Sequence, residues 1–266
     1  MAQMAGRGCI GVVGGLGPAA TADMLEKLIL ATSAGRDEDH LRIVVDCDPD
    51  IPSPTKYLAG LGPSPVRPLV RSARMLAGQG ADVLVMACNT AHAFYPVVAE
   101  AVPVPVVHLM RATAGWLRAE HPEISRVGVL ATTSCVRAGL YQEALRAAGL
   151  HVAVPTRAEQ RQVMRAIMEP DGVKAGELTR PAHWLAGSAA RLAARGCQAI
   201  IAGCTEIPLV LDQAALDRAG LDVRYVDPTE IAAAETVRLA QSAPHLSRSD
   251  NWRDGASAGW GEHRAV

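Results

Sequence analysis

The feature that most constrains the fold is a pair of similar segments, each an apolar stretch that ends in a cysteine. The first, VLVMACNTAH, contains Cys88, and the second, AIIAGCTEI, contains Cys204. Two glycine-containing stretches, GVVGGLG and GVLATTS, echo each other in the same way around Gly11 and Gly128. The glycines are 117 positions apart and the cysteines 116, so the sequence predicts two similar lobes with equivalent thiols. A chance echo of short apolar stretches is the alternative, and the polar residues shared after each cysteine argue against it.

Short apolar stretches alternate with amphipathic ones along most of the chain. Strand-length stretches lie at 8–13, 41–45, 82–87, 104–107, 126–131, 151–155, 198–203 and 223–226. Helical patterns lie between them, as at 136–148 and 176–195. Aromatic residues are scarce, which favours aliphatic cores made of strands covered by helices. The predicted fold class is α/β, with two pseudo-symmetric lobes that each hold a parallel sheet flanked by helices, and with the active site in the cleft between them.

We predict a first lobe from residues 1–110 and 223–241, because the last strand and helix are expected to return to it. Residues 111–222 form the predicted second lobe. Residues 242–266 are polar, aperiodic and rich in Gly and Ser, a composition typical of a flexible tail. Docking of the two tryptophans in this tail on a partner or a neighbouring subunit is the alternative.

Charge and cysteine content exclude several classes of function. The formal net charge is −1 with acids and bases interspersed, so no basic stripe suggests nucleic acid as a partner. No apolar run approaches the roughly 18 residues of a membrane span, and we expect a cytoplasmic protein with no membrane partner. The six cysteines contain no CxxC pair, and the only short Cys/His spacing is Cys88 with His92. We therefore expect reduced thiols and no metal site.

Polar residues follow both cysteines at the predicted strand ends. They are Asn89 and Thr90 after Cys88, and Thr205 and Glu206 after Cys204. Asn and Thr favour helix N-caps, and a helix N-terminus favours the thiolate form of a nearby cysteine. Ligands bind at the carboxyl ends of strands in open α/β sheets, so we predict two reactive thiols that face a cleft. Cysteines that merely fill the core are the alternative.

Two facing thiols suit the inversion of a stereocentre. One thiol removes a proton from a carbon on one face, and the other returns a proton on the opposite face. The carbanion between these steps needs aimed hydrogen-bond donors, because no cofactor motif is evident. Besides backbone N–H groups after each cysteine, the candidate donors to a substrate α-carboxylate are Asn89, Thr90, Thr132, Thr133 and Thr205.

Several segments together resemble the aspartate racemase branch of the Asp/Glu racemase superfamily. They are GVVGGLGPAATADMLEKL, MACNTAHAF, VLATTS, GVKAGEL and IIAGCTEIPLVL, in that order, over most of residues 8–240. The resemblance implies two α/β lobes around a cleft, an amino-acid or related carboxylate substrate, no pyridoxal phosphate, no metal and often a homodimer.

The resemblance also implies roles for particular residues. Cys88 and Cys204 would be the proton donor and acceptor pair, and Asn89 and Thr90 would bind the substrate carboxylate. Lys174, in GVKAGEL, would match the substrate-binding lysine of the family. A solvated lysine in a glycine-bounded turn is the alternative for this position.

The chain departs from the family pattern at two places. Where aspartate racemases usually read I-P-D-R-T, this chain reads IPSPT, so Pro54 stands at the position of the arginine that would grip a substrate carboxylate. Thr55 keeps the threonine of that pattern and stays a substrate-binding candidate, and Lys56 is the nearest cation. Cys135 replaces a threonine of the T-T-G-T pattern, either as a tolerated small residue or as an additional group in the cleft. We hypothesise that the proton-transfer machinery is kept while the substrate preference has shifted.

Other functions remain open at this stage. Residues 15–20, GLGPAA, fit the G-x-G-x-x-G/A pattern of a dinucleotide-binding oxidoreductase, although the acidic candidate, Asp46, lies beyond the usual spacing of about 20 residues. The glycines also allow the backbone to approach a small substrate, which makes Gly17 a binding candidate. A decarboxylase, isomerase or cyclase of the same superfamily would need one cysteine, and a binding protein would need none. His92 and Glu206 are auxiliary candidates, with packing and capping as their alternatives.

Overall fold

The computed structural model describes residues 8–243, which form two parallel sheets of four strands each. The strands of the first sheet are β1 (Cys9–Gly14), β2 (Arg42–Cys47), β3 (Val83–Met86) and β4 (Val106–Val107). Those of the second are β5 (Arg126–Ala131), β6 (His151–Ala153), β7 (Ala199–Gly203) and β8 (Arg224–Val226). The strand orders are β2-β1-β3-β4 and β6-β5-β7-β8, so the second sheet repeats the first. The predicted α/β class with two lobes is confirmed.

Helices connect these strands on both faces of the sheets. They are α1 (Pro18–Ala31), α2 (Pro54–Leu58), α3 (Val66–Gly78), α4 (Tyr95–Glu100), α5 (Leu109–Glu120), α6 (Thr133–Arg137), α7 (Leu140–Ala147), α8 (Arg157–Met168), α9 (Thr179–Ala193), α10 (Gln213–Arg218) and α11 (Pro228–Ser242). Short 3₁₀ helices lie at Asp37–Asp39, Thr90–Phe94 and Val173–Ala175. Within residues 8–243, none of the helices is long and apolar enough to cross a membrane.

The central strands are buried because helices cover both of their faces. β1, β3 and β7 are buried along their whole lengths, whereas the edge strands β2, β6 and β8 are partly exposed. Parallel strands covered on both faces read as continuous apolar runs, which is why the sequence located them well. One hydrophobic core, which includes Val12, Val85, Val129, Ile201 and Val237, extends across both sheets and fixes the lobes against each other.

The glycines that open the repeat perform the same packing task in both lobes. A Cβ atom at Gly11 would lie 3.1 Å from Cβ of Leu76 in α3, and one at Gly128 would lie 3.0 Å from Cβ of Leu192 in α9. Leu76 and Leu192 are themselves 116 positions apart. Each glycine therefore lets a helix lie close to its sheet at an equivalent place, which supports the internal repeat.

Two parts of the structure differ from the sequence-based expectations. The helical pattern at 136–148 is broken at Gly139, whose φ of 70° is left-handed and separates α6 from α7. The segment 223–241 does not return to the first lobe as a unit, and the prediction is wrong for its strand. β8 pairs in parallel with β7 because the crossover after β7 lays it beside that strand, while α11 packs against α1, α5 and β3. The lobe boundary at residue 110 stays a prediction, and residues 244–266 of the predicted tail lie outside the described residues.

Candidate active site

A cavity of about 670 Å³ lies where the carboxyl ends of the two sheets face each other. Its lining comes from the loop after β1, the loop before α2, the residues after β3, β5 and β7, and the 3₁₀ helix at Val173–Ala175. Ligands of open α/β sheets bind at this edge of the strands. The sequence-based candidates that line this cavity are Gly17, Thr55, Cys88, Asn89, Thr90, Thr132, Lys174, Cys204, Thr205 and Glu206.

Both cysteines of the repeat reach this cavity from equivalent positions. Cys88 lies two residues beyond the end of β3, and Cys204 directly follows β7. Their exposed fractions are 8% and 6%, so each thiol is buried by protein except on the cavity side. The cavity therefore receives one thiol from each lobe.

Asn89 is fixed by a residue that the sequence did not single out. The side-chain oxygen Oδ1 of Asn89 accepts a hydrogen bond of 2.5 Å from the hydroxyl of Tyr141, and no capping bond to the following 3₁₀ helix is made. Among the described residues, Nδ2 of Asn89 has no partner, although the atom is buried. The hydroxyls of Thr90 and Thr132 lie 3.0 Å apart and join the two lobes at the cavity. These groups supply donors beside Cys88.

Cys204 is followed by turns, and no helix begins until Gln213. The expectation of a helix N-terminus at this thiol is wrong, because the connection to α10 packs as irregular backbone. The nearest charged group is the carboxylate of Glu206, whose Oε2 accepts a hydrogen bond of 2.9 Å from the thiol. The hydroxyl of Thr205 donates to the same oxygen over 3.3 Å.

Lys174 is paired within the cavity. Its ammonium donates to Oε1 of Glu206 and, over 2.9 Å, to the carbonyl oxygen of Leu16. A Cβ atom at Gly17 would lie 2.9 Å from Nζ of Lys174 and closer still to Oε1 of Glu206. Gly17 therefore leaves room for this ion pair, which a larger residue would displace.

The pKa values of both thiols are raised. Burial, followed by the charge of Glu206, raises the pKa of Cys88 to about 11, against a lowering by the backbone N–H groups of Ala91 and Thr90. Burial and Glu206 also raise the pKa of Cys204, while the charge of Lys174 acts in the opposite direction. The backbone N–H groups after Cys88 favour its thiolate as expected, but desolvation of the charged form outweighs them, so the net pKa shift is upward and not downward.

Two sequence-based candidates do not line the cavity. The backbone N–H of Thr133 is directed to Sδ of Met164, 3.1 Å away. The ring of His92 lies behind Cys88, with Nδ1 2.9 Å from the carbonyl oxygen of Cys88 and Nε2 accepting from the backbone N–H of Leu109 over 3.2 Å. Burial lowers the pKa of His92 to about 4, so the ring is neutral and donates from Nδ1. It supports the backbone at the thiol.

The positions that depart from the family pattern have clear places in the structure. Pro54 begins α2 and is buried against the cavity, and no arginine is among the described residues that line it. Lys56 lies on the exposed rim. Cys135 is buried outside the cavity, and its backbone N–H donates to the hydroxyl of Thr132 over 3.2 Å. Burial raises the pKa of Cys135 to about 12, as expected for a small core residue.

The fold agrees with the comparison to protein families. Residues 13–236 match the family described as Asp/Glu/Hydantoin racemase, and the chain belongs to that family. It is an isomerase, of the cofactor-independent amino-acid racemase class. The oxidoreductase alternative from residues 15–20 is thereby set aside.

Similar proteins, two of them with known structures, share most of the chain. An aspartate racemase from Picrophilus torridus is 27% identical, with a TM-score of 0.77 over 88% of this chain and 94% of that one. A broad-specificity amino-acid racemase from Bacillus subtilis is 26% identical over 216 residues, which cover 76% of this chain and 87% of the relative. A glutamate racemase from Francisella tularensis, 18% identical with a TM-score of 0.61 over 92% and 85% of the two chains, shares the fold.

Proposed function

We propose that Cys88 and Cys204 invert the α-carbon of an amino acid by proton transfer on opposite faces. The observation that carries this proposal is the delivery of one thiol from each lobe, at equivalent strand ends, to a single cavity. The thiolate of one cysteine takes the α-proton and becomes a thiol, and the carbanion then takes the proton of the other thiol. The second cysteine is left as the thiolate, ready for the reverse reaction.

The intermediate carries its charge on the α-carboxylate, so donors to that group lower the barrier. The unpartnered Nδ2 of Asn89 supplies such a donor within the cavity. The contact between the hydroxyls of Thr90 and Thr132 uses one of their two protons, which leaves the other for the substrate. The hydroxyl of Thr205 can donate to the substrate after it turns away from Glu206. These groups belong to the chain itself, and the proposal requires no cofactor.

The substrate is proposed to be an acidic or related amino acid, with a preference shifted away from aspartate. An arginine binds a carboxylate through two parallel hydrogen bonds, and none of the described residues around the cavity is an arginine. The cations of the lining are Lys56 and Lys174, and Lys174 is already paired with Glu206. A side-chain carboxylate therefore has weaker recognition here than an arginine would give.

The experiment is to incubate the purified protein with each of a panel of L- and D-amino acids, aspartate and glutamate included. Racemisation is measured as the loss of optical activity. We expect racemisation of at least one amino acid in preference to aspartate. Racemisation of aspartate as efficiently as every other substrate would contradict the shifted preference, and no racemisation would contradict the function itself. Sedimentation of the same preparation tests the homodimer that the family resemblance suggests.

A further inference from the structure

The ion pair of Lys174 and Glu206 is hydrogen-bonded to one of the two thiols. Lys174 holds one oxygen of the Glu206 carboxylate, and the other oxygen accepts the hydrogen bond of Cys204. Glu206 is 4% exposed, so its carboxylate is held by protein groups. The position of the carboxylate is therefore set by Lys174, and the carboxylate in turn sets the orientation of the Cys204 thiol.

The first lobe has no equivalent of this arrangement. Counted along the repeat, Thr90 stands 116 positions before Glu206, as Cys88 stands before Cys204. The hydroxyl of Thr90 faces the hydroxyl of Thr132, and none of the described carboxylates forms a hydrogen bond with Cys88. The repeat thus supplies an internal comparison in which the two thiols differ by one carboxylate.

We propose that Glu206 is a positioning residue that keeps Cys204 in its protonated form in the free enzyme, so that Cys88 is the thiol that loses its proton first. This inference rests on the proposed two-thiol racemisation. A carboxylate that accepts a hydrogen bond from a thiol stabilises the thiol and repels the thiolate. With Cys88 as the thiolate and Cys204 as the thiol, the free enzyme is ready for the enantiomer whose α-proton faces Cys88.

The charges around Cys204 act with opposite signs. Burial and Glu206 raise the pKa of the Cys204 thiol, and Lys174, on the 3₁₀ helix, lowers it. Cys88 faces the same carboxylate and the same ammonium across the cavity, without the direct hydrogen bond. The other ionisable groups near these thiols are Cys135 and His92 beside Cys88, Tyr141 beside Cys204, and Asp50 and Lys56 on the cavity lining. Substitution of Glu206 therefore affects both thiols, and Cys204 more strongly.

The test is the alkylation rate of each cysteine by iodoacetamide as a function of pH, read for individual cysteines by peptide mass spectrometry. Cys204 is followed in Cys88→Ser and Cys88 in Cys204→Ser, each with and without Glu206→Gln. We expect Glu206→Gln to lower the pKa of Cys204 by about one unit or more, and that of Cys88 by less. Lys174→Met should move the pKa of Cys204 upward. An unchanged pKa of Cys204 in Glu206→Gln, or an equal shift of both thiols, would overturn the inference.

Kinetics supply a second readout with both thiols present. The pH profile of kcat/KM reports groups of the free enzyme, so its acidic limb should move to lower pH in Glu206→Gln. The shift of this limb should be the same for both enantiomers. The equilibrium constant of racemisation is one, so kcat/KM must be equal in the two directions at every pH. A fall by one constant factor at every pH would indicate a structural role alone and would overturn the inference. Since alkylation needs no substrate, absence of racemisation would contradict the proposed function and leave the test of Glu206 intact.

Discussion

The hydroxyl of Tyr141 donates to Oδ1 of Asn89 over 2.5 Å, although the two residues lie in different lobes. This bond fixes the orientation of the Asn89 side-chain amide and leaves its Nδ2 as a donor that is not used within the protein. Nδ2 has no partner among the described residues, and Asn89 lines the cavity. A buried donor without a partner is costly in a folded protein, and a substrate carboxylate would satisfy it.

Tyr141→Phe should therefore weaken substrate binding. Loss of a neutral hydrogen bond costs about 1 kcal/mol, so we expect KM to rise by about fivefold with a smaller change in kcat. Steady-state kinetics measure both. The matched control is Tyr225→Phe, because the Tyr225 hydroxyl is buried without a partner among the described residues and lines a different cavity. Equal effects of the two substitutions would show that Tyr141 does not act through Asn89.

Gly17→Ala should reduce activity with little change in stability. The added methyl group would lie 2.9 Å from Nζ of Lys174 and would crowd the Glu206 carboxylate, so the ion pair must move. We expect kcat/KM to fall by about tenfold or more, equivalent to roughly 1.4 kcal/mol of lost transition-state stabilisation. Gly35→Ala is the control, since nothing lies within 4 Å of a Cβ atom there. Retention of full activity by Gly17→Ala would mean that the ion pair tolerates displacement.

Pro54→Arg should improve the use of aspartate. The substitution places a guanidinium at the position where the family pattern has one, at the start of α2 on the cavity wall. Because a bidentate contact to a carboxylate gives roughly 1.5–3 kcal/mol, we expect the ratio of kcat/KM for aspartate to that for a neutral amino acid to rise by about tenfold or more. Pro54→Gln separates the effect of charge from the loss of proline. A similar ratio in both variants would contradict the role assigned to the missing arginine.

The stability of the protein should fall in mild acid because of His92. Burial lowers its pKa to about 4 in the folded protein, whereas an unfolded histidine titrates near 6.5. The contribution of neutral His92 is complete above about pH 6.5 and is lost as the pH falls towards 4, by up to about 1.4 kcal/mol per pH unit. Urea unfolding between pH 7 and pH 4.5 measures the slope.

His92→Asn is the informative variant for this prediction, because asparagine can still donate to the carbonyl oxygen of Cys88 without gaining a proton. Its free energy of unfolding should depend less steeply on pH than that of the natural protein. His183→Asn, at an exposed position, should keep the natural slope. Equal slopes for all three proteins would show that His92 does not titrate as its burial requires.

Sequence reasoning located the strands and the two thiols because both depend on local signals. Apolar runs of strand length, and a cysteine at the end of each, are visible without any contact information. The side chains that contact the thiols and their neighbours could not be predicted in the same way. Tyr141 reaches Asn89 from 52 positions away, and the pair of Lys174 with Glu206 spans 32 positions.

The errors have the same physical origin. The sign of the thiol pKa shifts depends on burial, which a motif at a strand end does not show. The placement of β8 beside β7 depends on strand pairing between distant segments. The exclusion of Thr133 and His92 from the cavity depends on side-chain direction. In each case the deciding interaction is tertiary.

The central claim is that both thiols exchange the α-proton, and the most direct measurement is proton NMR of the α-hydrogen of a racemised amino acid in deuterium oxide. The natural protein should exchange this hydrogen and racemise the substrate from either enantiomer. Cys88→Ser and Cys204→Ser should each abolish full racemisation, because each removes the acid or base on one face. Complete racemisation by either variant at the natural rate would contradict the two-thiol account.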